Sequence, residues 1–397
     1  MLNVILLGLV SFFSDISAEM VYPILPLYIT STFGATPALI GLIEGIAESL
    51  ASLLKVFSGY YTDRFHRKKR VAFIGYASGV IYKIALIFAG SWVGILGARM
   101  IDRTGKGIRT APRDVMVCES ADKDNMGRAF GIHKALDMAG SALGILTAYF
   151  LLMRTIGNFD YKRLFLLSII PAIIGLLLFF FIKEKAKVCS TEEREPFWKN
   201  MGKLDKQLKL YLFVTFMFTL GNSSNAFLLL RAKNVGFKDI SVILLYFVYN
   251  ITASVFAFPL GRLSDRIGRK KLLVSGYLVF SLVYLLFAIA NHQTTLIAAF
   301  VLYGLYTALI VGVERAFVAE ISPRDLKGTM LGMQSTIVGI ALLPASAIAG
   351  VLWNLFGARV PFIFGASMSL GAAFVLQFFL QDKRNGNRTM KRLNRSG

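Results

Sequence analysis

The chain has 397 residues, of which 55% are hydrophobic, with only 3 histidines, 2 cysteines and a formal net charge of +21. So apolar a composition excludes an ordinary water-soluble domain. The charge invites a nucleic-acid reading, but the basic residues gather at 64–70, 183–209, 262–271 and 383–395, between apolar runs. That placement fits membrane topology and anionic lipid, with no nucleic acid as partner.

Apolar runs long enough to cross a bilayer, which takes about 20 residues, occupy roughly 4–29, 38–60, 71–91, 93–117, 126–153, 163–182, 208–230, 239–261, 271–291, 295–320, 328–353 and 359–381. Lipid cannot satisfy a backbone hydrogen bond, so each run reads as a helix. The expected fold class is an all-α integral membrane protein with 12 transmembrane helices, called spans 1–12 below. The first run is too long, and followed by too many others, to be a cleaved signal peptide. Connections 30–37, 90–92 and 291–295 carry no Lys or Arg. This bias places both termini and the 183–207 loop in the cytoplasm of a cell with an inner membrane. The basic residues in 154–163 and 231–238 depart from it.

Ionisable groups inside a span cost several kcal/mol unless paired or wetted, so each is a functional candidate. Span 1 carries Asp15 and Glu19, four apart and on one face, with Tyr22 continuing it. Pro23 and Pro26 should bend its outer end. Span 2 carries Glu44 and Glu48, with Lys55 nearer the cytoplasm; Glu44 is expected at the outer vestibule or among headgroups. Lys83 of span 3 should snorkel or pair. Span 4 is the most charged: Arg99, Asp102, Arg103, Lys106 and Arg109, then Arg113 and Asp114. Span 5 holds His133, Lys134 and Asp137. A carboxylate in an apolar setting can load a proton near neutral pH. Glu19, Asp137, His133 and Asp15 are therefore the expected proton-coupling groups. Asp15 or Glu19 pairing with Arg99 or Arg103 as a clamp remains the competing reading.

Residues 184–207 form a polar linker in which Phe197, Trp198, Met201 and Leu204 could lie on the membrane surface. The second six spans are quieter. Span 7 has a polar break, Gly221-Asn222-Ser-Ser-Asn225, and ends near Arg231. Span 8 has Tyr246, Tyr249 and Asn250, span 10 has Tyr303, Tyr306 and Glu314, and span 11 has Gln334. The basic tail from 383 should be disordered. The expected organisation is a six-helix bundle at 1–183, the linker at 184–207, a second bundle at 208–382 and the tail at 383–397. Cys118 and Cys189 suggest neither a disulfide nor a metal site, and no cofactor is expected.

The two halves repeat at an offset of about 202. Gly59, Asp63 and Arg64 in G-x-x-x-D-R-x-x-R-K fall on Gly261, Asp265 and Arg266 in the same pattern. Gly34 falls on Gly236, Glu48 on Asn250, and Arg113 on Arg315. Six spans per half is an even number, so the repeats are parallel.

The duplicated loop resembles the signature of the major facilitator superfamily between spans 2 and 3, with its echo between spans 8 and 9. Asp102-Arg103-Thr-Gly105-Lys106-Gly107-Ile-Arg109-Thr-Ala-Pro112-Arg113-Asp114 resembles a prokaryotic subgroup of mostly uncharacterised permeases, some of whose relatives are implicated in siderophore or drug movement. The resemblance implies that the loop locks the halves together while the carrier faces outward. Gly59, Asp63, Arg64, Arg113, Gly261, Asp265, Arg266 and Arg315 would then form a gate. It also implies a cavity lined by spans 1, 4, 7 and 10, with Asp15, Glu19, Tyr22, Arg103, Asn222, Asn225 and Tyr306 as its lining. Span 5 offers Gly140-x-x-x-Gly144 where the antiporter pattern has Gly-Pro, which weakens an antiport reading.

The expected function is secondary active transport of a small anionic or zwitterionic solute, siderophore- or carboxylate-like, by proton-coupled alternating access, in a chain that works as a monomer among membrane lipids. A proton-coupled exporter of lipophilic cations is the alternative, and a non-transporting sensor a minor one. An enzyme is not expected, because no nucleophile–base or metal-ligand spacing is present.

Overall fold

The computed structural model describes residues 2–65, 68–120, 126–153, 160–183, 206–310, 313–322 and 327–380. The linker at 184–205, the tail and Cys189 lie outside these, as do the side chains of Cys118 and of several residues near the cytoplasmic loops.

The described residues form helices and no strands. Span 1 is α1 (Leu2–Val21) and α2 (Leu25–Phe33); spans 2 to 6 are α3 (Pro37–Phe65), α4 (Lys68–Phe88), α5 (Trp92–Glu119), α6 (Met126–Met153) and α7 (Tyr161–Leu178). Span 7 is α8 (Lys206–Gly221) and α9 (Ala226–Asn234). The rest are α10 (Asp239–Ile267), α11 (Arg269–Ile289), α12 (Gln293–Ile310) with α13 (Val313–Ile321), α14 (Lys327–Phe356) and α15 (Val360–Phe379). Eleven spans are long and apolar enough to cross a membrane by composition alone. The twelfth is α5, whose charges dilute its hydropathy but are packed inward, as shown below.

The repeat is visible in the elements themselves. α3 and α10 are each 29 residues long, and α4 and α11 are each 21. Gly34 and Gly236, aligned in the sequence, both adopt positive φ, +60° and +97°, just after α2 and α9. A residue with a Cβ is strained there.

α1 packs on α6 and α7, and α5 on α3 and α4; in the second half α10 packs on α12, and α15 on α8 and α11. The halves meet along α3 with α14, along α6 with α10, and where α2 touches α9. Gly140 and Gly144 let α1 and α6 approach closely: a Cβ on either would stand 2.3 Å from the Phe12 carbonyl oxygen or 2.5 Å from that of Ile16. Packing against α1 thus accounts for these glycines. Exposed apolar stripes such as Ile74, Ile81 and Phe88 on α4 and Leu370, Phe374 and Phe378 on α15 would be untenable in water and suit lipid tails.

Spans 1 and 7 are interrupted at equivalent depth. Tyr22 to Ile24 separates α1 from α2, where Pro23 cannot continue the helix. Asn222 to Asn225 separates α8 from α9, as the polar sequence there predicts. Interrupted spans place polar backbone and side chains where a solute can meet them.

Candidate functional site

One wall of the central region is built from α5. Its cations recur every three or four residues and so lie along one side of the helix. Arg99 is 1% exposed and grips Glu44 of α3 with two hydrogen bonds, Nη2 to Oε2 at 2.6 Å and Nε to Oε1 at 2.9 Å. It also reaches Asp102 at 3.2 Å. One turn further, Arg103 bridges to Glu48 of α3 at 2.9 Å. The Tyr22 ring lies under both guanidinium groups, 5.4 Å from Arg99 and 5.6 Å from Arg103. Next along the stripe, Arg109 donates to Ser14 of α1 at 2.9 Å and stacks over Tyr76 at 4.4 Å. Arg113 donates to Ser11 at 3.2 Å and pairs with Asp114 at 2.9 Å.

Lys106 is the exception in this stripe. It is exposed and makes no ion pair among the described residues. With Arg103 and Arg99 it is one of the cations around Glu19. The two glycines beside it serve packing: Gly105 abuts Gly75 and Ser78 of α4, while Gly107 abuts Ala51 of α3. A lysine between them is thereby held on a closely packed helix.

The facing wall comes from the second half and is built of tyrosines and amides. Rings run in sequence from Tyr246 to Tyr249 (5.1 Å), Tyr303 (5.3 Å) and Tyr306 (5.3 Å). Tyr303 donates to Asn225 Oδ1 at 2.7 Å, and Asn225 Nδ2 donates to the Tyr249 hydroxyl at 3.3 Å. Asn222 Nδ2 donates to the Tyr306 hydroxyl at 3.2 Å. A buried tyrosine presents an apolar ring and one polar tip that needs a partner; the amides of the α8–α9 break supply it.

Two contacts join the walls. The Tyr246 hydroxyl donates to Glu19 Oε2 at 3.1 Å, and the Tyr22 and Tyr246 rings lie 5.7 Å apart. Below Glu19, the carboxyl groups of Asp15 and Asp137 lie within hydrogen-bonding reach of each other, with Lys134 on Asp137 at 2.6 Å.

The sequence expectations fare unevenly. Glu19, Tyr22, Asn222, Asn225 and Tyr306 do come together around the junction of the walls. Asp15 lies one turn away, against Asp137 rather than an arginine. The clamp on Arg99 and Arg103 comes from Glu44 and Glu48 of α3, not from Asp15 or Glu19. Glu44 is 2% exposed and faces Arg99, not the outer vestibule. Of the two neighbours on its own helix that could pair with Asp137, Lys134 takes the carboxylate, and His133 Nε2 is buried without a partner among the described residues. Lys83 is 2% exposed, so it packs inward rather than snorkelling. Of the gate residues, Gly59, Asp63 and Arg64 fall on α3, Gly261, Asp265 and Arg266 on α10 and Arg315 on α13, but their surroundings lie outside what the structure describes; Arg113 alone of that group has a described side chain. Ser11 and Ser14, which receive Arg113 and Arg109, were missed, although they share a helix face with Asp15. Lys106 was seen on the stripe but not singled out.

The sequence profile of the Major Facilitator Superfamily matches residues 7–210 and 211–395. An uncharacterized MFS-type transporter of Methanocaldococcus jannaschii is 37% identical over 383 residues, covering 95% of this chain and 94% of that protein. Multidrug resistance protein 2 of Bacillus subtilis is 31% identical over 122 residues, 31% of this chain and 30% of its own. The crystal structure of nucleoside transporter NupG superposes with a TM-score of 0.77 at 14% identity, covering 95% of this chain and 98% of that one, which speaks to the fold. With twelve spans in two six-helix repeats, a profile match along nearly its whole length and a full-length MFS-type relative, this chain is a member of the major facilitator superfamily of transporters and not an enzyme.

Proposed function

We propose that the chain moves a small anionic or zwitterionic organic solute across the inner membrane by proton-coupled alternating access, as a monomer with both termini in the cytoplasm. The bundles 1–183 and 208–382 would rock about the site, joined by the 184–207 linker. The observation that carries the reading is the Tyr246–Glu19 hydrogen bond, which ties the charged wall to the tyrosine wall beside Lys106, a cation with no ion pair among the described residues. In this reading Lys106 takes the anionic group of the solute. Arg103, already bridged to Glu48, buttresses the wall behind it. Tyr22, Asn222, Asn225 and Tyr306 shape the space and supply neutral hydrogen bonds.

Two carboxyl groups in contact are held together by a proton between them. The Asp15–Asp137 pair and Glu19 are therefore the proposed proton carriers, with His133 behind them. The duplicated D-R loops are the proposed gate: Asp63→Asn should slow turnover more than it weakens binding, and unchanged flux would remove the gate role.

A second reading, export of lipophilic cations, has the Asp15–Glu19 face and the tyrosine chain in its favour, and the partial match to a multidrug resistance protein. One screen separates them. The purified protein is tested for ligand-induced thermal stabilisation by organic acids, amino-acid derivatives, siderophores with and without iron, and cationic drugs, at two pH values. Stabilisation by an anionic or zwitterionic class, lost in Lys106→Gln, supports the first reading. Stabilisation by cations alone, lost in Glu19→Gln, replaces it with the second.

A further inference from the structure

A separate cavity of about 480 Å³ lies in the second half, at the end of α10 opposite its D-R loop. α10 is 29 residues long, so the two ends stand roughly 40 Å apart. The cavity is lined by the end of α9, the turn after α11 and the turn between α14 and α15, with Arg231, Asn234, Asn291, Gly357 and Arg359 among its residues. None of the lining residues is acidic.

The hydrogen bonds already made there fix what is left. Arg231 is 4% exposed, and its guanidinium donates to the carbonyl oxygens of Phe287, Ala288 and Ala290 and to Asn234 Oδ1 at 2.6 Å. It thus closes the carbonyl end of α11. Arg359 Nη2 donates to Asn291 Oδ1 at 2.7 Å. An arginine can only donate, so each amide must turn its oxygen to the guanidinium, whatever the assignment of its two ends. Both amide oxygens are therefore engaged, and both NH₂ groups remain as donors. Arg359 is exposed and keeps its Nε and Nη1 hydrogens. Asp239, an acid at the same end of the half, is paired with Lys233.

Among the described residues, every uncommitted side-chain group in this cavity is thus a donor, and two of its residues carry positive charge. Guanidinium and amide donors arranged in this way match the oxygens of a phosphate or carboxylate. We propose that this cavity is an oxyanion-binding site, distinct from the central transport site, which takes a phosphate-bearing group at the membrane face. The group could be the headgroup of an anionic phospholipid or a free anion.

Two variants test it. Arg359→Gln removes the exposed cation from a residue that makes no side-chain cap bond to α15. Asn234→Asp places a carboxylate in the cavity while giving Arg231 a stronger partner, so the fold is kept and the anion repelled. The first arm titrates inorganic phosphate against thermal unfolding of the full chain, with chloride at matched ionic strength as control. The second measures by native mass spectrometry how much phosphatidylglycerol and phosphatidylcholine stay bound. Saturable phosphate stabilisation of wild type, with the apparent dissociation constant raised about tenfold or more in both variants, assigns a free-anion site. Preferential retention of phosphatidylglycerol, lost in both variants while phosphate has no effect, assigns a headgroup site. The proposal is overturned if wild type shows neither effect, or if both variants match wild type in both arms.

Discussion

The two halves share a scaffold and differ in chemistry. α3 and α10 have the same length, as do α4 and α11, and Gly34 and Gly236 turn the chain with the same hand of φ. Yet where the first half places Glu44, Glu48, Arg99 and Arg103, the second places tyrosines and asparagines. A charged wall is rigid only while each charge keeps its partner, because a buried charge left alone is costly. A wall of tyrosines and amides holds itself by weaker neutral bonds and can lose one of them without collapse. In the proposed function the duplication would supply the two rocking bodies, and the divergence would divide the work: charge and proton handling on one side, shape and neutral hydrogen bonding on the other.

The sharpest way to break this comparison is to remove one member of the buried pair. Glu44→Ala leaves Arg99 charged at 1% exposure with Asp102 as its remaining acid, and should cost about 3 kcal/mol, the low end of the range for breaking a buried pair. It should be read as a large fall in the thermal unfolding temperature. Replacing both residues by leucine should recover much of that loss. If Glu44→Ala unfolds like wild type, the charged wall does not depend on pairing, and the contrast with the tyrosine wall fails.

The second test separates binding from scaffolding within the charged wall. Lys106→Gln should weaken binding of the anionic solute by about 1.5–3 kcal/mol, the range for a hydrogen bond to a charged group, with little change in thermal stability, because Lys106 is exposed and makes no ion pair among the described residues. Arg103→Ala should do the reverse, since Arg103 is bridged to Glu48 and rests on Tyr22. Unaltered affinity in Lys106→Gln, with Arg103→Ala abolishing it, would return the anion to Arg103.

Much of this was legible in the sequence, and the losses have physical causes. Twelve apolar runs, the repeat and the interruptions at Pro23 and at Asn222–Asn225 are local signals, and the structure carries each of them. Which charges pair is not local. Spacing puts Glu44 and Glu48 on one face of α3, and Arg99 and Arg103 on one face of α5, but only packing decides that these faces meet. Asp15 and Glu19 looked equally eligible because a one-dimensional pattern contains no neighbour. Lys106 could not be told from the arginines around it, since what distinguishes it is the absence of an ion-pair partner among the described residues. The aromatic chain from Tyr246 to Tyr306 joins α10 to α12, and the order of its rings exists only once those helices pack.

The third and smallest test falls on the tyrosine wall. Tyr303→Phe removes the donor to Asn225 Oδ1 while leaving the ring against Tyr249 and Tyr306. A neutral hydrogen bond contributes about 0.5–1.5 kcal/mol. Asn225 is only half-buried, so water can replace the lost donor, which places the expected effect at the low end of that range. Affinity in the stabilisation assay should therefore fall no more than a few-fold. The pH dependence of binding should not move, because Tyr303 touches none of Asp15, Glu19 and Asp137 by a described hydrogen bond. Glu19→Gln should move it. A Tyr303→Phe variant that shifted the pH dependence as far as Glu19→Gln would mean that proton handling crosses into the second half, and that the two walls act as one network through the Glu19–Tyr246 bond.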